Sequence, residues 1–105
     1  MVTRAIGYIV VTHRAYPEGK QWVSECPELA VTSCGDTLEE ALDNVADATS
    51  LYLNTIEQQG ERERVFRERG IPLWPTRPKK DDFPILRGRA EEVIRPHIER
   101  VLATV

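Results

Sequence analysis

Chemistry in this chain would have to start from a small set of side chains. These are the acids Glu25, Glu28, Asp36, Glu39 and Glu40, the cysteines Cys26 and Cys34, and the histidines His13 and His97. Metal-assisted cleavage of a phosphodiester needs several carboxylates converging on ions about 4 Å apart. Asp36, Glu39 and Glu40 are accounted for by a helix start, and Glu25 and Glu28 flank Pro27 at a corner, where they face solvent or a partner. The cysteines lie eight positions apart, without CxxC spacing or a neighbouring histidine, so they read as two free, packed thiols. His13 at the end of a strand reads as a surface residue. Set beside Cys26 across a hairpin it would resemble a thiol–base pair, but no third residue that would orient the base is recognisable. Arg77, Lys79, Lys80, Arg87 and Arg89 gather near Trp74 and could touch phosphate backbones, yet Asp81 and Asp82 interrupt them. That segment reads as a solvated loop. No catalytic residue, metal or cofactor is expected, and the chain reads as a non-enzyme.

The elements that position these residues are clearest from Gln21 to Leu53. Gly35 is expected to take a positive φ and end a strand. Thr37 stands where an N-cap belongs, and Glu40 three residues on completes a capping box. Asp36 and Glu39 add negative charge at the positive end of the helix dipole. Leu38, Ala41, Leu42, Val45, Tyr52, Leu53 and Ile56 then recur at helical spacing, with Thr49 filling the remaining turn, which predicts one helix over 37–58. Upstream, residues 5–13 read as a strand, with Ile6, Tyr8, Val10 and Thr12 on one face and Ile9 and Val11 on the other. Apolar residues on both faces imply cover on both sides, or a partner on one. Residues 14–20 read as a hairpin loop and 21–25 as the return strand, on which Trp22 would pair with Tyr8. Pro27 turns a corner, and residues 30–34 form a third strand. The fold class is therefore α+β, a three-stranded antiparallel meander packed on one long helix.

Past Ile56 the pattern weakens. Gly60 interrupts it, Glu61 to Arg69 carries alternating charges at i,i+3 and i,i+4, and Gly70 stands at a C-cap position. Pro72, Pro75, Pro78 and Pro84 exclude a helix, and Ile71, Leu73 and Trp74 offer a fourth, irregular edge strand. Ile94, Ile98, Val101 and Val105 fall at helical spacing, but Pro96 lies among them, so this stretch fits either a helix or an extended arm. The expected division is a core over 1–59 and a C-terminal extension over 60–105.

Composition bounds the function. The chain is 41% hydrophobic and 30% charged, as in a soluble globular domain. No apolar run approaches the ~18 residues of a membrane span, and the N-terminus lacks a small-residue cleavage pattern, which gives a cytoplasmic expectation. Residues 1–57 hold three bases against nine acids, and residues 58–105 hold eleven bases against eight acids. An acidic front half argues against nucleic acid there and suits a basic partner.

The words Tyr8 and Val10, Trp22-Val23, Glu25-Cys26-Pro27-Glu28-Leu29, Gly35-Asp36-Thr37, Glu39-Glu40-Ala41, Asn44 and Tyr52-Leu53 resemble, in that order, the HicB-like antitoxin family. Its pattern is roughly WxAxCPELG at a strand corner and GDTxEEAxxN at the helix, and the match covers residues 6–57. The resemblance implies a partial RNase H-like fold and a role in occluding a small, basic, mRNA-cleaving toxin of the HicA type. It also implies a homo-oligomer. Tyr8, Trp22, Glu25, Pro27, Glu28 and Leu29 would then belong to partner or subunit contacts, and Gly35, Asp36, Thr37, Glu40, Ala41 and Asn44 to the fold. The helix-turn-helix or ribbon-helix-helix tail with which many members bind operator DNA is not evident, so DNA binding is not expected.

Overall fold

The computed structural model describes residues 3–79 and 91–104. Four strands, β1 (Thr3–Glu18), β2 (Gln21–Cys26), β3 (Val31–Gly35) and β4 (Val93–Thr104), form one antiparallel sheet in the order β3-β2-β1-β4. Two helices, α1 (Leu38–Gln58) and α2 (Arg62–Arg69), follow β3, and α1 packs on one sheet face. The α+β class and the long helix are as expected. No helix among the described residues is long and apolar enough to cross a membrane.

The β1–β2 hairpin is longer than its composition suggested. Arg14 to Glu18 is not a loop but strand, paired from Arg14↔Glu25 to Glu18↔Gln21, and the turn is only Gly19 and Lys20. Gly19 takes φ 61, the left-handed first position that a two-residue turn of type II′ reserves for glycine. Pro17 is tolerated because its pairing with Trp22 alternates with hydrogen-bonded pairs. Its missing N–H faces the other side of β1, where β4 has not yet begun, since the β1–β4 ladder starts at Ala15↔Val93. This register also corrects the expected Tyr8–Trp22 pair. Trp22 stands opposite Pro17 and Gly35, whereas Tyr8 stands opposite Arg100.

Alternation along β1 sends Ile9, Val11, His13 and Ala15 into the core under α1 and leaves Tyr8, Val10, Thr12, Arg14 and Tyr16 half-buried on the open face. Ile6 departs from its expected face and packs against the core, because the ladder with β4 shifts register between Ala5 and Gly7. On α1, Ala41, Leu42, Val45, Thr49, Leu53 and Ile56 are buried, the predicted inward stripe. Val65 and Phe66 of α2 and Ile71 join the same core. Gly70 caps α2 through its N–H to the carbonyls of Arg67 and Phe66, and Arg64 pairs with Glu61 and Glu68 at the expected spacings.

Residues 93–104, open between helix and arm, form a strand that pairs with β1 from Ala15 to Thr3. Pro96 fits because it stands opposite Thr12, whose own N–H is turned away from β4, so this pair exchanges no ladder bond. The fourth strand is thus β4, not the 71–74 segment. That segment contributes one antiparallel bridge, Tyr8↔Trp74, with bonds of 2.8 and 2.7 Å. Gly7 makes room for it, since a Cβ there would stand 2.6 Å from the Trp74 carbonyl oxygen. The segment expected as an extension therefore supplies a strand to the sheet and side chains to the core.

Candidate functional site

The corner between β3 and α1 carries the expected N-cap, though the hydrogen bonds show only the Thr37 half of the capping box and Gly35 is there for a different reason. Thr37 accepts the Glu40 N–H at 3.1 Å and caps α1. Asn44 Nδ2 donates to the Cys34 carbonyl at 2.8 Å, tying the second turn of the helix to the strand before it, and Ala41 is fully buried. Asp36 is exposed between the two elements. Gly35, however, does not adopt a positive φ. It must be glycine because a Cβ would lie 2.6 Å from the Ala41 nitrogen and 2.9 Å from the Glu40 carbonyl carbon. Close approach of helix to strand, not turn geometry, selects the residue.

The expected partner residues are mostly engaged within the chain. Glu25 binds the Arg14 guanidinium and accepts the Tyr16 hydroxyl at 3.2 Å, which pushes the Tyr16 hydroxyl and the Arg14 guanidinium upward. Glu28 reaches back from the 3₁₀ turn at Pro27–Leu29 and accepts both the Thr12 backbone N–H (3.0 Å) and the Thr12 hydroxyl (2.8 Å). It stops the β1 edge where β2 has turned away. Leu29 is core rather than surface, while Pro27 is exposed and Trp22 half-buried. Tyr8 lies beneath Arg77, whose guanidinium carbon is 5.9 Å from its ring centre. Of the basic cluster, Lys80, Arg87 and Arg89 lie outside the described residues. Cys34 is free and exposed, not packed, whereas Cys26 is free and buried.

The largest departure concerns the histidines. His13 is not a surface residue at a strand end: it sits within β1 and is only 2% exposed. Its Nε2 is 3.0 Å from Thr49 Oγ1, and its ring stacks on His97, with centroids 4.1 Å apart and planes 16° off parallel. Thr49 gives its own hydroxyl proton to the Val45 carbonyl at 2.8 Å, so its oxygen accepts and His13 donates from Nε2. His97 Nε2 stands 3.5 Å from Glu99 Oε1, which accepts the Ser50 hydroxyl at 2.6 Å. Burial first, then His97 and Arg95, push His13 down to about 4 against an opposing pull from Glu99. Burial would raise Glu99, but the nearby His97 ring and the hydrogen bond from Ser50 outweigh it and hold the carboxyl below its usual range, while His97 Nε2 itself has no hydrogen-bond partner among the described residues.

Cys26 does come close to His13, through Thr49, but the pair is not a nucleophile and its base. Burial, reinforced by the charge of Glu28, pushes the Cys26 thiol up to about 11, so it stays protonated. A carboxylate held as firmly ionised as Glu99 is a weak base toward Ser50. Among the described residues no three His, Cys, Asp or Glu side chains are placed to share a metal ion. The sequence did hold one signal of this polar seam: Thr49, a hydroxyl at an inward position of α1, on a face that otherwise calls for an apolar side chain.

Two surfaces remain. The outer face of α1 presents Glu39, Glu40, Asp43 and Asp47, all exposed, on a helix that contains no lysine, arginine or histidine, and continues to Leu51, 68% exposed. The open sheet face carries Tyr8, Val10, Tyr16, Val23, Ile94 and Ile98, all half-buried. Between α1 and β4 runs a shallow groove of about 230 Å³, walled by Ser50, Leu53, Asn54, Glu99 and Val101. Against known proteins, no family model, no curated protein and no solved structure matches this chain.

Proposed function

We propose that this chain is an antitoxin-type protein of the HicB-like kind, which binds a small basic RNA-cleaving toxin and covers its active face without performing chemistry itself. The motif words from Trp22 to Leu29 and from Gly35 to Asn44 support the reading. So does the agreement between the sheet-and-long-helix architecture and the one that resemblance implies. The observation that carries it is the outer face of α1, where four exposed acids meet no base on their own helix. Such a face steers a cationic partner toward itself and repels the RNA that the partner would otherwise bind. A cytoplasmic location goes with the role. Glu25 and Glu28 are poor probes of it, since both brace the sheet.

The test is to isolate the tagged protein from its native cells at low and high salt and identify what accompanies it. A small basic protein retained at low salt, whose RNA cleavage stops when this chain is added, supports the proposal. Glu39→Lys, Asp43→Lys and Asp47→Lys combined should then weaken the complex at least tenfold while leaving thermal stability nearly unchanged. Undiminished binding by that variant would sink the electrostatic part.

The open sheet face favours a second reading, a stand-alone homo-oligomer of the same fold with a regulatory or ligand-binding role. Val10 and Ile98 face each other across β1 and β4 at its centre. Recovery of a homo-oligomer alone, dissociated by Val10→Arg with Ile98→Arg, would select it.

A further inference from the structure

His13 and His97 are the two histidines of the chain, and the fold brings them to one spot. Val11↔His97 and His13↔Arg95 are opposite pairs of the β1–β4 ladder, so the two rings are diagonal neighbours on the face under α1. From them a line of polar groups leaves α1 and returns to it. It runs from the Val45 carbonyl through Thr49 to His13, across the stack to His97, then to Glu99 and back to Ser50. Three elements, β1, β4 and α1, are joined by this line. Next to it a shallow groove beside Ser50 and Glu99 runs between α1 and β4.

Charge at this seam is unbalanced in one direction. From β4 the stack faces Glu99 and Arg95, from β2 it faces the protonated Cys26, and from α1 only the hydroxyls of Thr49 and Ser50. The acids of α1 nearest in sequence, Asp43 and Asp47, lie on its exposed face, and Glu28 is bound to Thr12. Among the described residues Glu99 is therefore the one carboxylate that faces the stack. Protonation of both rings would place two cations in face-to-face contact, with Arg95 adding a third positive charge and Glu99 alone among the described residues to offset them.

We propose that the stacked His13–His97 pair is an acid-released clasp, which holds β4 to β1 and α1 while the buried His13 ring is neutral and lets β4 part from both when a proton is forced onto that ring. The low proton affinity of buried His13 agrees with this. Release would begin at β4 because it is an edge strand, held on its other side by no strand among the described residues.

Segment-resolved hydrogen exchange on the full chain, from pH 7 to 4 and corrected for the intrinsic pH dependence of exchange, tests the clasp. Protection of the Val93–Thr104 amides should fall at least tenfold relative to those of β2 and β3 as pH drops from 6.5 to 4.5. His13→Gln keeps a donor for Thr49 but does not titrate, and it should abolish that selective loss. Parallel behaviour of β4 and β2–β3 in the wild-type chain would overturn the proposal. So would a His13→Gln chain that keeps the selective loss. Should His13→Gln fail to fold, the wild-type profile decides alone, because a histidine with a purely structural role gives no loss confined to β4.

Discussion

The β3–α1 corner and the His13–Glu99 seam solve the same problem, fastening α1 to the sheet, with opposite materials. At the corner, the fastening is short-range and uncharged: a cap, an amide-to-carbonyl bond and a glycine that lets two backbones touch. At the seam, residues far apart in sequence, 13, 49 and 97, are joined by groups that can gain or lose a proton. The corner should therefore be sensitive to shape and indifferent to pH, and the seam the reverse.

Gly35→Val is the most damaging single change expected. Its Cβ would meet backbone atoms of Ala41 and Glu40, which cannot swing aside as a side-chain tip can. Overpacking of this kind costs about 3 kcal/mol or more. Urea unfolding should show the full loss at pH 7 and at pH 5 alike. A loss that varied with pH would mean that corner and seam are coupled.

Acid is expected to act next most strongly, and on the seam. His13 titrates at about 4 in the folded chain and near 6.5 when unfolded. Between those values the unfolded state binds the proton that the folded state refuses, so stability is full above pH 6.5 and falls as pH drops toward 4. The whole window amounts to about 3 kcal/mol. Glu99, held low, adds a further loss as pH falls below the ordinary carboxylate range. His13→Gln should flatten the curve between pH 6.5 and 4.5, which equilibrium unfolding at a series of pH values measures.

Glu28→Ala should cost about 2 kcal/mol, since it leaves the Thr12 N–H and hydroxyl without their carboxylate. Thermal unfolding would show it. Glu28→Gln, which keeps one acceptor, should recover part of the loss, and equal losses from both would assign the effect to charge alone.

This contrast also marks what the chain made legible. The corner could be read because its signals are local: Thr37 and Glu40 are three residues apart, and Asn44 follows within two turns. Even there the reason for Gly35 was missed, because a Cβ clash depends on how closely the helix approaches. The seam could not be read, because it depends on β4, and Pro96 made 93–104 fit a helix or an arm equally well. Only the finding that the Thr12 N–H is taken by Glu28 explains how a strand tolerates that proline. Similarly, Pro17 and Gly19 suggested a loop, while hydrogen-bond parity along β1 makes Pro17 harmless in a strand. Glu25 and Glu28 read as outward-facing because only the register brings them Arg14 and Thr12.

Ala30 offers the smallest and sharpest test, because it lies at the other end of β3 from Gly35. It caps the Pro27–Leu29 turn in the left-handed region, at φ 54 and ψ 38, with its N–H on the Pro27 carbonyl at 3.2 Å. A residue with a Cβ loses roughly 1–2 kcal/mol in that conformation. Its side chain is exposed, so removing the methyl group forfeits little packing. Glycine would relieve the strain but adds freedom to the unfolded chain worth about 0.5–1 kcal/mol. Ala30→Gly should thus stabilise by about 0.5–1 kcal/mol, raising the midpoint of thermal unfolding by roughly 2–8 °C. A loss of stability would show that the Ala30 methyl group is held by contacts that outweigh its backbone strain, and the two ends of β3 would then follow different rules.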